Sequence, residues 1–339
     1  MKSFPLLGAL ALLLGATATA SAQHLDGQTV VVTASNATAN HLLVYSTSGR
    51  LLRTVATGGQ GGVSGNAGGI SHWHDWLAVV NFGSQNVSLF KRTDDGFVMK
   101  QLVPALAAPV SVAFGHGHIY ILTGTKVESH RLWDFGASAS ADGTAGLVHA
   151  DGSAAQVGVL EDQLVISEKS NAIETVNLLE DGAVTGEAAM VANIPANVNA
   201  PFGLATRGND AYVTIAHANE ISLVRDNAIL TITGSGTQMA PCWVTLDGPF
   251  LFSANSPSMS VSRYLVYGNK IVQQAAVVAR LNGDPTDIDY QAGVAAVIDS
   301  NGTVSHISAF KVDGDGNFKL MGWATMPSAN GAAVMAPED

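Results

Sequence analysis

The sequence has a single cysteine, Cys242, so no disulfide can form within the chain. Charge is sparse, at 13% Asp, Glu, Lys and Arg, and aromatic residues make up only 6%. Lys and Arg number 16 against 27 Asp and Glu, a formal net charge of −11, and the basic residues nowhere run together. Nucleic acid and anionic membrane surfaces are thereby excluded as partners, because both need a clustered positive patch. No apolar run approaches the roughly 20 residues that span a bilayer, so membrane insertion is not expected. Long apolar periodicities of helical spacing are missing too, which argues against helices.

What the chain does have is glycine, 36 residues of it, and short apolar runs bounded by Gly, Asn, Asp or Ser. Such runs, in a composition 47% hydrophobic, suit strands buried on both faces. They recur with a period of about 40 residues. AGGISHWHDWLAVVNFGSQNVSLFKR from Ala67, APVSVAFGHGHIYILTGTKVESHRL from Ala108 and SAAQVGVLEDQLVISEKSNAIETV from Ser153 share one plan. A small or Pro-led start leads into an apolar strand, a polar turn, a second strand and an Asn/Ser-rich hairpin. APFGLATRGNDAYVTIAHANEISLV from Ala200, APCWVTLDGPFLFSANSPSMSVSRYLV from Ala240 and DPTDIDYQAGVAAVIDSNGTVSHISAFKV from Asp284 repeat it. Repeats of this length built only from short strands predict an all-β fold, a β-propeller with one blade per copy.

The two termini supply a seventh blade, with strands over 29–33, 41–46 and 51–56 and a fourth from 330–334. The expectation is therefore a seven-bladed ring whose first blade is closed by the C-terminal strand. Closure removes the exposed edge that an open array would leave. Asp-Gly pairs such as Asp181-Gly182 and Asp247-Gly248 provide the positive-φ positions of tight hairpins.

Lys2, the apolar stretch Leu6 to Leu14 and the small residues Ala20, Ser21 and Ala22 read as a secretory leader over 1–22. The remainder, 23–339, reads as one propeller domain, monomeric and secreted to the extracellular space or periplasm. A core this large needs no disulfide to persist there. The Gly-rich tract Gly58 to Gly69 reads as the link from the first blade to the second, a candidate mobile loop at the rim. Sequons at Asn36, Asn86 and Asn301 are acceptors for N-glycans if the chain passes through a eukaryotic secretory pathway.

These phrases resemble the secreted lactonase-type seven-bladed propellers, a group similar to 3-carboxymuconate cyclase. The resemblance rests on Gly58-Gly-Gln-Gly-Gly62, Ala155-Gln-Val-Gly158, Ser167-Glu-Lys169, Pro201-Phe-Gly203, Ala240-Pro-Cys-Trp-Val244 and Ile307-Ser-Ala-Phe-Lys-Val-Asp313. It covers nearly all of the chain beyond the leader. It implies the propeller fold and, for lactonising members, His and Arg at blade starts around the central channel, with a Glu from an Asn-Glu-Leu phrase. Glu168 stands where that Glu would lie and is the candidate catalytic acid/base. The expected cation and imidazole are missing, since the preceding blade start reads Ala155-Gln156 and the seventh reads Pro285-Thr286-Asp287. Cycloisomerising a muconate needs cations to hold its carboxylates. The resemblance thus carries architecture further than activity.

Blade starts place Gly68, Ser111, Gln156, Phe202, Trp243, Asp287 and Asn330 around the channel as candidate ligand-binding residues. Their mixed polar and aromatic character suits a neutral or weakly cationic molecule such as a sugar or a phenolic. His72 and His74 share a strand face by their spacing, and His116 and His118 repeat the arrangement one blade on. Together they make a candidate rim site for a divalent metal, at positions that equally suit a strand-to-strand turn. No other cofactor is expected. Cys242, in a blade's inner strand, reads as a small buried hydrophobe. Three functions are open: a propeller that binds a small molecule or an extracellular glycan or protein at one rim, with little or no catalysis; a cyclase-like or lactonase-like isomerase or lyase acting through Glu168 on a lactone, muconate-like or phenolic substrate; and an extracellular adhesin. The first leads.

Overall fold

The computed structural model describes residues 24, 25, 27–192 and 200–337, so the expected leader lies outside the described residues. These residues form seven antiparallel sheets arranged as the blades of a propeller. From the axis outward, blade 1 consists of Asn330–Met335, Val30–Ala34, His41–Ser46 and Leu51–Ala56. The inner strands of blades 2 to 7 are Ile70–Trp73, Pro109–Gly115, Ala154–Val159, Pro201–Arg207, Pro241–Asp247 and Asp284–Gln291. Blade 3 departs from the four-stranded plan: its strand Lys126–Trp133 pairs with both Gly136–Ala137 and Gly143–Gly146.

Burial explains the composition of each layer. Second strands such as Trp76–Asn81 and His118–Thr123 are buried at every residue, because neighbouring blades cover both of their faces. Outer strands such as Ala228–Gly234 alternate between half-buried and exposed residues, with one face in water. The Asp-Gly hairpins are held as their residues require. Gly182 has φ 93°, and a Cβ there would lie 2.5 Å from the His116 carbonyl oxygen.

The ring closes as the sequence implies. Val30 pairs with Met335 and Val32 with Ala333, antiparallel. One face of this pair, with Val30, Val32, Ala333 and Met335, packs with Leu77 and Val79 of blade 2. The other, with Val31 and Val334, packs with Ile298 and Ile307 of blade 7. Each fully buried aliphatic side chain contributes roughly 1.5–3 kcal/mol. The C-terminal strand therefore holds two blade interfaces together.

The Gly-rich tract is not a rim loop. Its second half turns inward and crosses the end of the channel where the inner strands begin. Asn66 donates to the Val110 carbonyl at 2.7 Å and accepts from Asn330 Nδ2 at 2.8 Å. Its own carbonyl accepts from Trp243 Nε1 at 3.3 Å. The Ala67 amide donates to Ala155 O at 3.1 Å, and Lys169 Nζ donates to Gly65 O at 2.6 Å. Blades 1, 3, 4 and 6 are thus tied to one plug. A Cβ on Gly69 would stand 2.0 Å from Asn330 Oδ1, so the Asn330 side chain could keep its bond to Asn66 only with glycine there.

Candidate functional site

Beyond the plug lies a cavity of about 270 Å³, lined by all seven inner strands through residues 70–72, 112–114, 156–159, 204–206, 243–245, 287–289 and Ala332. One end is stopped by the Gly65–Gly69 turn, and the opposite end forms the mouth. None of the lining residues is Lys or Arg, whereas Asp287, Asp289, Ser71, Thr206, Thr245 and Gln156 all contribute.

Of the seven residues expected around the channel, Gly68, Gln156, Trp243 and Asp287 line this cavity. Ser111, Phe202 and Asn330 sit at the plug instead. Most of the seven bond one blade to another. Gly68 O accepts from the Val112 amide at 2.9 Å, Ser111 Oγ from the Val157 amide at 3.3 Å, and Gln156 Oε1 from the Leu204 amide at 2.7 Å. Phe202 stands edge-on to Trp243, with ring centroids 5.2 Å apart.

The pattern is fullest at the closing junction. Asp287 Oδ2 accepts the Ala332 amide at 2.9 Å, Asp289 Oδ2 the Val334 amide at 2.7 Å, and Gln291 Oε1 the Ala336 amide at 2.7 Å. Alternate residues of blade 7's inner strand face one edge and satisfy alternate N–H groups of the C-terminal strand. Asp287 is buried, and desolvation pushes its pKa up to about 7 against the pull of the Ala332 and Ile288 amides, with the Asp289 charge adding to the rise.

Toward the mouth, His72 Nε2 lies 3.5 Å from Asp289 Oδ2, with both side chains partly buried. That distance is an electrostatic contact rather than a tight hydrogen bond. His72 therefore faces the channel, with a carboxylate beside it.

The four-imidazole metal site is not assembled. Trp73 pairs with Trp76 across a two-residue turn, so the strand ends before His74, which turns into the left-handed region at φ 52°. His116 Nε2 contacts the Leu160 carbonyl at 2.8 Å. His118 is only 1% exposed, with Nδ1 on His116 O at 2.9 Å and Nε2 on Asp142 Oδ2 at 2.9 Å. Among the described residues no group of three or more His, Cys, Asp or Glu is placed to hold a metal ion.

Glu168 is not among the cavity's lining residues. It ends the second strand of blade 4, fully buried, at the plugged end of the ring. Its Oε2 accepts from Ser153 Oγ at 3.0 Å and its Oε1 has no hydrogen-bond partner. Desolvation, then the nearby Glu174 charge, push its pKa up to about 8, with the Ser153 bond opposing. At neutral pH it is largely a protonated acid beneath the plug. Burial likewise pushes the Cys242 thiol up to about 12, which leaves it unreactive as a nucleophile.

Sequence reasoning missed Asp289, Ser71, Thr206 and Thr245. All lie two to four residues past the candidates Gly68, Phe202, Trp243 and Asp287 of the same blades. For Thr206, Thr245 and Asp289 the signal that could have found them is the strand period itself: alternate residues of an inner strand face the axis.

No protein-family model matches the chain, and no curated protein matches it either. Solved structures do. A periplasmic gluconolactonase from Pseudomonas aeruginosa is 13% identical, with a TM-score of 0.66 over 92% of this chain and 99% of that one. A functionally unknown protein from Desulfotomaculum acetoxidans is 12% identical, with a TM-score of 0.68 over 92% of this chain and 100% of that one. A Bacteroides fragilis protein named for 6-phosphogluconolactonase is 13% identical, with a TM-score of 0.63 over 92% and 99%. The chain thus has the architecture of the lactonase-type seven-bladed propellers. At these identities the likeness shows the fold alone.

Proposed function

We propose that the open mouth of the channel binds a small, uncharged, hydroxyl-rich molecule, a sugar or a sugar lactone. The observation that carries this reading is the charge of the lining: carboxylates, hydroxyls and one amide, with no Lys or Arg. A phosphorylated sugar or a muconate would bring negative charge against Asp289 and find no cation to hold it. A neutral polyol offers donors to the carboxylates and both donors and acceptors to Ser71, Thr206, Thr245 and Gln156. A secretory leader over 1–22, expected from the sequence alone, would put this binding outside the cytoplasm.

Hydrolysis of a neutral lactone at the same place is the second reading, favoured by the His72–Asp289 pair. With Asp289 facing Nε2, Nδ1 of His72 is the nitrogen open to take a proton as water attacks the lactone carbonyl. The ring C–O bond then breaks, and the departing oxygen recovers that proton. Asp289 stabilises the imidazolium in between.

Calorimetric titration with a stable γ-lactone and with a sugar phosphate tests the proposal. The lactone should bind saturably, the sugar phosphate should not, and Thr245→Trp, which fills the cavity, should abolish binding. Preferential binding of the phosphate would overturn it. If Thr245→Trp or His72→Ala leaves lactone binding unchanged, the mouth is not the site.

A further inference from the structure

A second concave site lies on the outside of the ring, between the outer parts of blades 6 and 7. Its volume is about 420 Å³. Arg280 ends the outer strand of blade 6, Lys270–Arg280, and Asn282 follows it into blade 7. The opposite wall is His306 and Ser308 of Ser305–Val312 and Trp323 of Phe318–Met326, and Asn301 also lines it.

Trp323 is 51% exposed, a large aromatic face left in solvent. It pairs directly across the strands with Ser308. The His306 ring stands edge-on to it, with centroids 5.8 Å apart at 69°. Nδ1 of His306 meets Oδ1 of the fully buried Asp299 at 2.8 Å. That contact occupies Nδ1 and leaves Nε2 as the ring nitrogen free for another partner, donor or acceptor according to the tautomer. The exposed Asn301 uses its Oδ1 to accept the Thr303 and Val304 amides, both at 3.0 Å, and keeps its Nδ2 hydrogens for another partner.

From this we infer that the groove is a second binding site, for a neutral saccharide chain. An exposed indole face is electron-rich and attracts the C–H-bearing face of a pyranose ring. Sugar hydroxyls need donors and acceptors around that platform. Arg280, Asn282 and Asn301 supply donors, the Ser308 hydroxyl both donates and accepts, and His306 Nε2 adds a further polar group. Arg280 is the one Lys or Arg in this lining and serves here as a donor to hydroxyls. The inference stands apart from the channel, since no residue is shared between the two linings.

The test uses the whole chain made in a bacterial host, so that Asn301 is unmodified. Chitotriose, cellotriose and laminaritriose are titrated calorimetrically against wild type, Trp323→Ala, Trp323→Phe and His72→Ala. At least one trisaccharide should bind saturably. Trp323→Ala should weaken that binding at least tenfold, equivalent to about 1.4 kcal/mol, Trp323→Phe should restore part of it, and His72→Ala should leave it unchanged. Thermal melts of the variants confirm the fold, which an exposed side chain does not support. The inference fails if none of the three binds at millimolar concentration, if Trp323→Ala binds as wild type does, or if His72→Ala abolishes the binding.

Discussion

The carboxylate of Asp287 accepts the backbone N–H of Ala332 at 2.9 Å, across the junction where the last blade meets the strand that ends the chain. Asp289 and Gln291 repeat the contact at Val334 and Ala336. An apolar side chain at 287 leaves a buried N–H with no acceptor, which costs about 1–3 kcal/mol. Asp287→Ala should therefore lower the urea midpoint measurably, and Asp287→Asn, which keeps an acceptor oxygen, should lower it less. Deleting residues 328–339 removes the strand itself. Unfolding of that variant should lose its single cooperative transition, and a melt coincident with wild type would contradict the closure account.

Stability should fall as pH rises. Glu168 titrates at about 8 in the fold against an ordinary 4.5, and Asp287 at about 7 against 3.8. A raised carboxyl pKa means the folded chain binds more protons than the unfolded one. The stabilisation is complete below the unfolded values, near 4, and is lost progressively up to the folded ones, near 7 and 8. Urea midpoints across that window should decline with pH. Glu168→Gln, which cannot ionise, should flatten the upper part of the decline and leave ligand binding at the channel mouth unchanged.

The plug is a packing constraint as much as a set of hydrogen bonds. A methyl group in Gly69→Ala would meet Asn330 Oδ1 at 2.0 Å, so the Asn330 side chain must turn away and its bond to Asn66 is lost, at a cost of about 0.5–1.5 kcal/mol. Asn66→Ala removes the bonds to Val110 and Asn330 without adding bulk. Hydrogen exchange at the Ala67 amide should accelerate in both variants, and unchanged protection there would contradict the plug.

The three sequons are not equivalent. Asn36 donates through Nδ2 to Val63 O at 2.8 Å, while its Oδ1 accepts the Gly62 and Val63 amides. Asn86 donates through Nδ2 to Ser84 O at 3.1 Å. A glycan on either breaks a bond that the fold uses, whereas Asn301 Nδ2 is spent on nothing. Peptide mass spectrometry of the chain secreted from a eukaryotic host should find Asn301 modified and Asn36 bare.

How much of this was legible in the sequence differs by layer. The blade count and the pairing of 330–334 with the first strand follow from a repeated phrase, and the register of Val32 with Ala333 agrees. The candidate channel residues were found because blade starts are marked by Ala, Pro and Gly. Their partners were not legible: Gln156 reaching the Leu204 amide depends on the angle between blades, which no local pattern encodes. His74 was misplaced because two-residue spacing implies a shared face only while the strand continues, and here it turns after Trp73. The Gly-rich tract looked flexible by composition. Its glycines are there for close approach to Asn330, Asn81 and Asn36, and composition alone does not separate those two uses of the residue.

The central claim, that a neutral ligand enters the unplugged mouth of the channel, is tested most directly by the ring resonances of the chain's 10 histidines during a titration with a neutral γ-lactone. The account predicts that the His72 imidazole shifts and saturates while His118 and His306 stay still, with no shift on adding a sugar phosphate. A His72 signal unmoved by the lactone, or moved only by the phosphate, would contradict it.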